Sequence, residues 1–124
     1  AYIIVHITQG NAATIALTPQ QAQDVAGTGA KALSAAVPIW SNLDTATSDT
    51  LVRRADAVSY TTDAAVKNKI VVFEIDPAQF DLDNGFDCLF FSTGASNVAN
   101  LTQAEYLLTD LRYQQATPPS ATAD

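Results

Sequence analysis

The segment Lys69 to Pro77, KIVVFEIDP, constrains the fold more than any other part of the chain. Val71, Phe73 and Ile75 fall on one side and Ile70, Val72 and Glu74 on the other, which is the period of a pleated strand and not of a helix. Asp76 then supplies an N-cap acceptor and Pro77 a pre-set φ at the first helical position, so the strand should end in one helical turn reaching Phe80. Asp83, Asn84 and Gly85 read as a reversal, because asparagine and glycine accept positive φ. Phe86 to Ser92 is the next strand, with Phe86, Cys88 and Phe90 alternating against Asp87, Leu89 and Phe91.

Tyr2 to Thr8 is equally rich in β-branched residues and is bounded by the turn residues Gln9, Gly10 and Asn11, so it too is expected to be a strand. His6 lies inside it and is expected to be a half-buried strand residue, because a catalytic histidine needs a nucleophile or carboxylate partner placed by the fold, whereas a strand residue needs none. Ala12 to Leu17 is a short strand candidate. Thr18, Pro19, Gln20 and Gln21 have capping-box spacing, which predicts a short helix from Pro19 to about Ala26, ended by Gly27 and Gly29. Residues 28–36 fit either a loop or a weak helical segment. Pro38 then forces an extended stretch from Val37 through Leu43.

Strand candidates follow at Leu51 to Arg54 and Ala57 to Thr62. From Gln103 to Leu108 the sequence has both good helix formers and strand alternation; a strand is expected, with a turn at Thr109 and Asp110. The end, ATPPSATAD, carries Pro118 and Pro119 and little bulk, so it cannot fold alone. Together these elements predict a mainly β, two-layer, β-sandwich-like small domain over residues 1–115, with one short helix near residues 19–26 and an extended tail over residues 116–124.

A chain of 124 residues with 48% hydrophobic and 15% charged residues is a folded domain with one modest core. Its net charge of −7 repels nucleic acid and anionic lipid alike. The dibasic pair Arg53 and Arg54 does not reverse this, since neighbours on a strand point to opposite faces. A single cysteine, Cys88, excludes an internal disulfide and is expected to be a small core residue. The opening AYIIVHITQG has no basic n-region or cleavage motif, so no signal peptide is expected there, and Ala1 fits a cytoplasmically made protein that has lost its initiator methionine.

Glu74, Asp76, Asp81, Asp83 and Asp87 crowd into fourteen positions and are the nearest thing to a metal site. An EF-hand register with Gly85 at its glycine position puts Leu82 and Phe80 where ligands belong, and starting at Asp81 ends the loop on Ser92 in place of glutamate. Neither register works, which leaves a looser calcium site at Asp81, Asp83 and Asp87 as the alternative to plain strand and turn polarity. Transition-metal sites lack donors with one His and one Cys. Gly27 to Gly29 and Ser92 to Ser96 are too short for phosphate loops. Asn100, Leu101 and Thr102 spell a glycosylation sequon by letters alone.

Four segments, FEIDP, NGFDC, STGASN and RYQQATPPS, occur together in the last 55 or so residues. In this combination the chain resembles the C-terminal half of small virion structural proteins of tailed bacteriophages. That resemblance implies a head-associated protein of the capsid decoration or cement type, made in the host cytoplasm and located on the capsid surface. It implies no enzymatic activity and no cofactor, with the major capsid protein and further copies of the chain as partners. Tyr106, Tyr113, Pro118 and Pro119 are then the candidate contacts, as aromatics and proline-stiffened tails suit interfaces. The competing expectation is a small β-sandwich module binding carbohydrate, or calcium at the Asp81 to Asp87 turn.

Overall fold

The structure, a computed structural model, describes residues 1–109. Nine strands occur among them: β1 (Tyr2–Gln9), β2 (Ala16–Ala22), β3 (Lys31–Ala32), β4 (Val37–Asn42), β5 (Val52–Ala57), β6 (Tyr60–Thr61), β7 (Asn68–Glu74), β8 (Cys88–Thr93) and β9 (Asn100–Leu107). They form two antiparallel sheets, one of five strands in the order β5-β4-β7-β1-β9 and one in which β2 is flanked by β8 on one edge and by β3 and β6 on the other. The fold is therefore the expected mainly β, sandwich-like domain. Tyr113, Pro118, Pro119 and the expected boundary between residues 115 and 116 lie outside the described residues.

Period-2 alternation decides what faces what. Ile3, Val5 and Ile7 of β1 stand opposite Phe73, Val71 and Lys69 of β7, and Ile39 of β4 stands opposite Phe73. These residues join Val37 and Ile75 in one cluster with Ile15, Leu17 and Leu33 from the second sheet and its loops. Phe73 meets Phe91 of β8 with ring centroids 6.3 Å apart, so the two inner faces touch directly. Burying Phe73 fully contributes roughly 2 to 3 kcal/mol.

The helix expected from Pro19 to Ala26 is absent: residues 16–22 are strand β2 and residues 23–29 are a turn. The physical reason lies in the second sheet. Gly94 N donates to Ala16 O while Thr62 N donates to Ile15 O, so successive residues of β2 address opposite edges, and odd-numbered ones address the β6 and β3 side. On that side β6 reaches only Ala16 and Leu17, and β3 only Gln20 and Gln21. Pro19 falls in the gap, where its missing N–H removes no ladder bond. Gln21 does not cap a helix; its side chain is buried, donates to Ala32 O at 3.0 Å and Ser34 Oγ at 3.1 Å, and accepts from Asp81 N at 2.7 Å.

The strand expected over Ala12 to Leu17 starts only at Ala16, and that expected over Ala57 to Thr62 is reduced to Tyr60–Thr61, but the cap and reversal signals behave as read. Asp76 caps a short 3-10 turn over Pro77–Gln79 with a reciprocal Gln79 bond, and Gly85 takes φ 77° after a second turn over Leu82–Asn84. The expected strand after Gln103 begins earlier, at Asn100, whose side chain joins Asn11 N, Ala13 O and Ser96 Oγ and so ties two loops to the start of β9.

One charged residue is buried among the inner face. Lys69 has no exposed side-chain surface, and its ammonium donates to Gln9 Oε1 at 2.8 Å, Asp63 Oδ1 at 2.5 Å and Asp63 O at 3.1 Å. Gln9 in turn accepts from Thr62 Oγ1 and donates to Ala13 O and Asp63 O, while Thr62 Oγ1 accepts from Ile15 N. No buried side-chain donor or acceptor among these residues lacks a partner, and the group bridges β1 and β7 of one sheet to the segments beside β2 and β6 of the other.

The two ends of the Lys69–Asp63 pair should respond differently to mutation. Asp63 is 48% exposed, so Lys69→Met returns a carboxylate to water and leaves Gln9 and Asp63 O still partnered; stability should stay within about 1 kcal/mol of the parent. Asp63→Asn strands a buried ammonium on neutral acceptors and should cost about 2 kcal/mol in urea unfolding at pH 7. The Lys69 hydrogen bond holds the Asp63 carboxyl below its ordinary range. Its contribution is therefore complete above the unfolded carboxylate pKa of about 4 and is lost as pH falls through the lower folded value. An acid-unfolding series should be flatter for Asp63→Asn than for the parent below about pH 4.

Candidate functional site

The acidic run does not converge. Asp76 is spent on Ala78 N at 2.9 Å. Asp81 binds Lys31 Nζ at 2.5 Å and Asn84 Nδ2 at 2.8 Å, and the Lys31 hydrogen bond is the main reason its carboxyl sits below the usual range. Asp83 belongs to the first turn of the Leu82–Asn84 segment, and Asp87 accepts from Cys88 Sγ. Among the described residues no group of three or more His, Cys, Asp or Glu side chains is placed to hold a metal ion.

His6 is exposed, on the outer face of β1, and differs in this from the half-buried position expected of it. The outer face lets it out because the inner positions of β1 are Ile3, Val5, Ile7 and Gln9. Its neighbours across the ladder are Ile70 and Gln103, neither a nucleophile nor a carboxylate. The GTG stretch is a turn built around Asp24, which accepts from Ala26 N, Thr28 N and Thr28 Oγ1. Arg53 and Arg54 do point apart. Arg54 Nε donates to Ser41 Oγ at 2.7 Å, whereas Arg53 lies over the Trp40 ring at 4.8 Å and pairs with Asp56.

What the fold does assemble is surface. Tyr106 is on the inner side of β9, level with Ile3, at the flank where β9 ends its sheet. With Val25, Cys88, Leu89, Phe90 and Leu108 it lines an open apolar groove of about 450 Å³. Tyr106 is 47% exposed, and partial burial raises its hydroxyl pKa above the ordinary value. The ring is not among the side chains packed against the core cluster; it is left half-exposed at the flank. Cys88 lines the same groove and is partly exposed, not the core residue expected, because the inward positions of β8 belong to Leu89 and Phe91.

A second surface is the outer face of the five-stranded sheet. Cross-strand register aligns Arg53, Trp40, Val72, Ile4 and Glu105 in one row, apolar at the centre and oppositely charged at its ends. Sequence reasoning singled out Tyr106 but missed Leu101, Leu107 and Leu108, which are 65%, 52% and 57% exposed. The available signal was the lack of lysine and proline in NLTQAEYL, a strand that ends up at an edge.

Comparison with protein-family models, with curated proteins and with solved structures finds no match for the chain.

The Asp87 hydrogen bond, with partial desolvation, raises the Cys88 thiol pKa, so little thiolate exists near neutrality despite the access. Iodoacetamide at pH 8 should therefore alkylate Cys88 several-fold more slowly than a free thiol, followed by intact mass. Asp87→Ala should accelerate the reaction.

Proposed function

We propose that the chain is a structural protein of a tailed-bacteriophage virion, of the capsid decoration or cement type. It acts without catalysis, by placing matched surface against major capsid subunits and against copies of itself on the head. The observation that carries this reading is the joint occurrence of FEIDP, NGFDC, STGASN and RYQQATPPS, which resembles such proteins. Physical support comes from the surface. Val25 and Val98 are 95% and 93% exposed, and Leu101, Leu107 and Leu108 are exposed along β9 and just after it. Large apolar side chains gathered in water mark a place that a neighbour covers.

Nothing at the Asp81 to Asp87 turn favours the calcium or carbohydrate reading, since Asp81 already neutralises Lys31 and Asp87 bonds the adjacent thiol.

Quantitative mass spectrometry of purified particles should find the chain in amounts comparable with the major capsid protein. Its absence from intact particles would overturn the proposal, and a few copies per particle would move it from the shell to the portal or tail. Recombinant protein should rebind particles stripped of it, and Tyr106→Ala should weaken that rebinding by about tenfold or more with an unchanged circular dichroism spectrum.

A further inference from the structure

We infer that the open edge of β9 is a self-association edge: two copies pair β9 with β9 in antiparallel fashion about a two-fold axis at Ala104, joining their five-stranded sheets into one. The inference names one contact within the structural reading above and rests on it only for the presence of many copies at high local concentration.

Among the described residues β9 ends its sheet and pairs only with β1. The direction of its spare backbone groups can be worked out. Gln9 N donates to Lys67 O and Ile75 N to Ala1 O, so the odd-numbered residues of β1 address β7 and the even-numbered ones address β9. Opposite the latter stand Leu101, Gln103, Glu105 and Leu107. In an antiparallel ladder these bond back to β1, and Thr102, Ala104 and Tyr106 direct their N–H and C=O groups away from the sheet.

The two edges of this sheet are built differently. At the far edge β5 carries Arg53, Arg54 and Asp56, and its ladder with β4 is interrupted between Val37 and Ile39. Charge and a bulge are the usual protections of an edge. β9 has neither lysine nor proline, and its register with β1 runs unbroken from Asn100 to Leu107. A long regular edge whose one charge is Glu105 is open to strand addition.

Self-complementarity then selects the register. Residues directly opposite in a continuous sheet share a face, so the axis must pass through a residue and pair like parities. An axis at Glu105 sets Glu105 against its own copy, and one at Gln103 sets Leu101 against Glu105. An axis at Thr102 leaves Glu105, Tyr106 and Leu107 without strand partners. At Ala104, Gln103, whose Nε2 already donates to Glu105 Oε1 of its own strand at 2.9 Å, also comes to face Glu105 of the second copy, Leu101 meets Leu107, and Thr102 meets Tyr106. In the same register the outward N–H and C=O groups of Thr102, Ala104 and Tyr106 meet one another. The apolar groove at Tyr106 and Leu108 lies on this flank, so the second copy also covers exposed carbon.

The full chain should sediment as a concentration-dependent dimer. Ala104→Pro deletes the central outward N–H without touching a bond to β1, and should raise the dimer dissociation constant by about tenfold or more with the fold intact. Gln103 is exposed and on the outer face, so its variants test the register without risk to folding. Gln103→Lys should tighten the dimer by facing Glu105 of the second copy, and Gln103→Glu should loosen it. A chain that stays monomeric to millimolar concentration overturns the inference, as does a dimer indifferent to both substitutions, or one loosened by Gln103→Lys. A monomer whose Thr102, Ala104 and Tyr106 amides resist hydrogen exchange overturns it too, because the chain's own remaining segment then covers the edge. Monomeric behaviour leaves the virion reading to the particle assay, and absence from particles leaves the pairing intact.

Discussion

The constraint on which the arrangement depends is the placing of Lys69 on the inward set of β7. Period 2 gives that strand no choice: if Val71 and Phe73 face the core, Lys69 does too. A buried ammonium without partners would cost more than such a small domain can spare, so the fold must close where three acceptors meet. Gln9, one pleat beyond Ile7 on β1, and Asp63, just after β6, meet that need. The network thus does two things at once. It rejects a slipped register between β1 and β7, which would turn Lys69 outward and Val72 inward, and it pins the second sheet to the first at one end. Gln21 makes the matching link through Ala32, Ser34 and Asp81.

Much of the five-stranded sheet was legible because its signals are local. Alternation in KIVVFE, the β-branched run in YIIVHI, the Asp76–Pro77 cap and the Gly85 reversal each need only near neighbours in sequence. The second sheet was harder to read for the opposite reason. Thr18, Pro19, Gln20 and Gln21 have the letters of a helix start, and only the gap between β3 and β6 makes proline harmless in a strand there. Gln21 reads as a capping-box glutamine because nothing in sequence announces that Asp81 N, sixty positions away, will be its donor. The buried role of Lys69 was invisible for the same reason, since Gln9 and Asp63 become neighbours only after the sheets close.

The candidate surface was legible in part, and the reason is again range. Tyr106 attracts attention as an aromatic near the end of the chain, but whether its ring meets core or solvent depends on the β1 register that places it beside Ile3 at the flank. Trp40 is similar: its half-buried position on the outer face follows from Ile39 facing Phe73. The acids show the converse. Their crowding looks specific in one dimension, yet in space Asp76, Asp81 and Asp87 serve separate local needs, as cap, ion-pair partner of Lys31 and thiol acceptor.

Apolar side chains are divided between inside and outside in an instructive way. Thirteen apolar residues are buried among the described ones and eleven large ones are exposed, so the surface holds nearly as much of that material as the core. If this were simply incomplete burial in a small domain, the exposed set would be scattered. Instead seven of the eleven lie in or beside the two edge strands, Leu101, Tyr106, Leu107 and Leu108 at β9, which has no second neighbour among the described residues, and Leu51, Val52 and Val58 at β5. Open hydrogen-bonding groups and exposed carbon coincide on both edges, but only the β5 edge adds Arg53, Arg54 and Asp56 and an interrupted ladder. A domain that is selected only to stay folded gains nothing from that asymmetry, because an unguarded edge exposes it to aggregation. One that must join neighbours in a defined direction gains the direction itself.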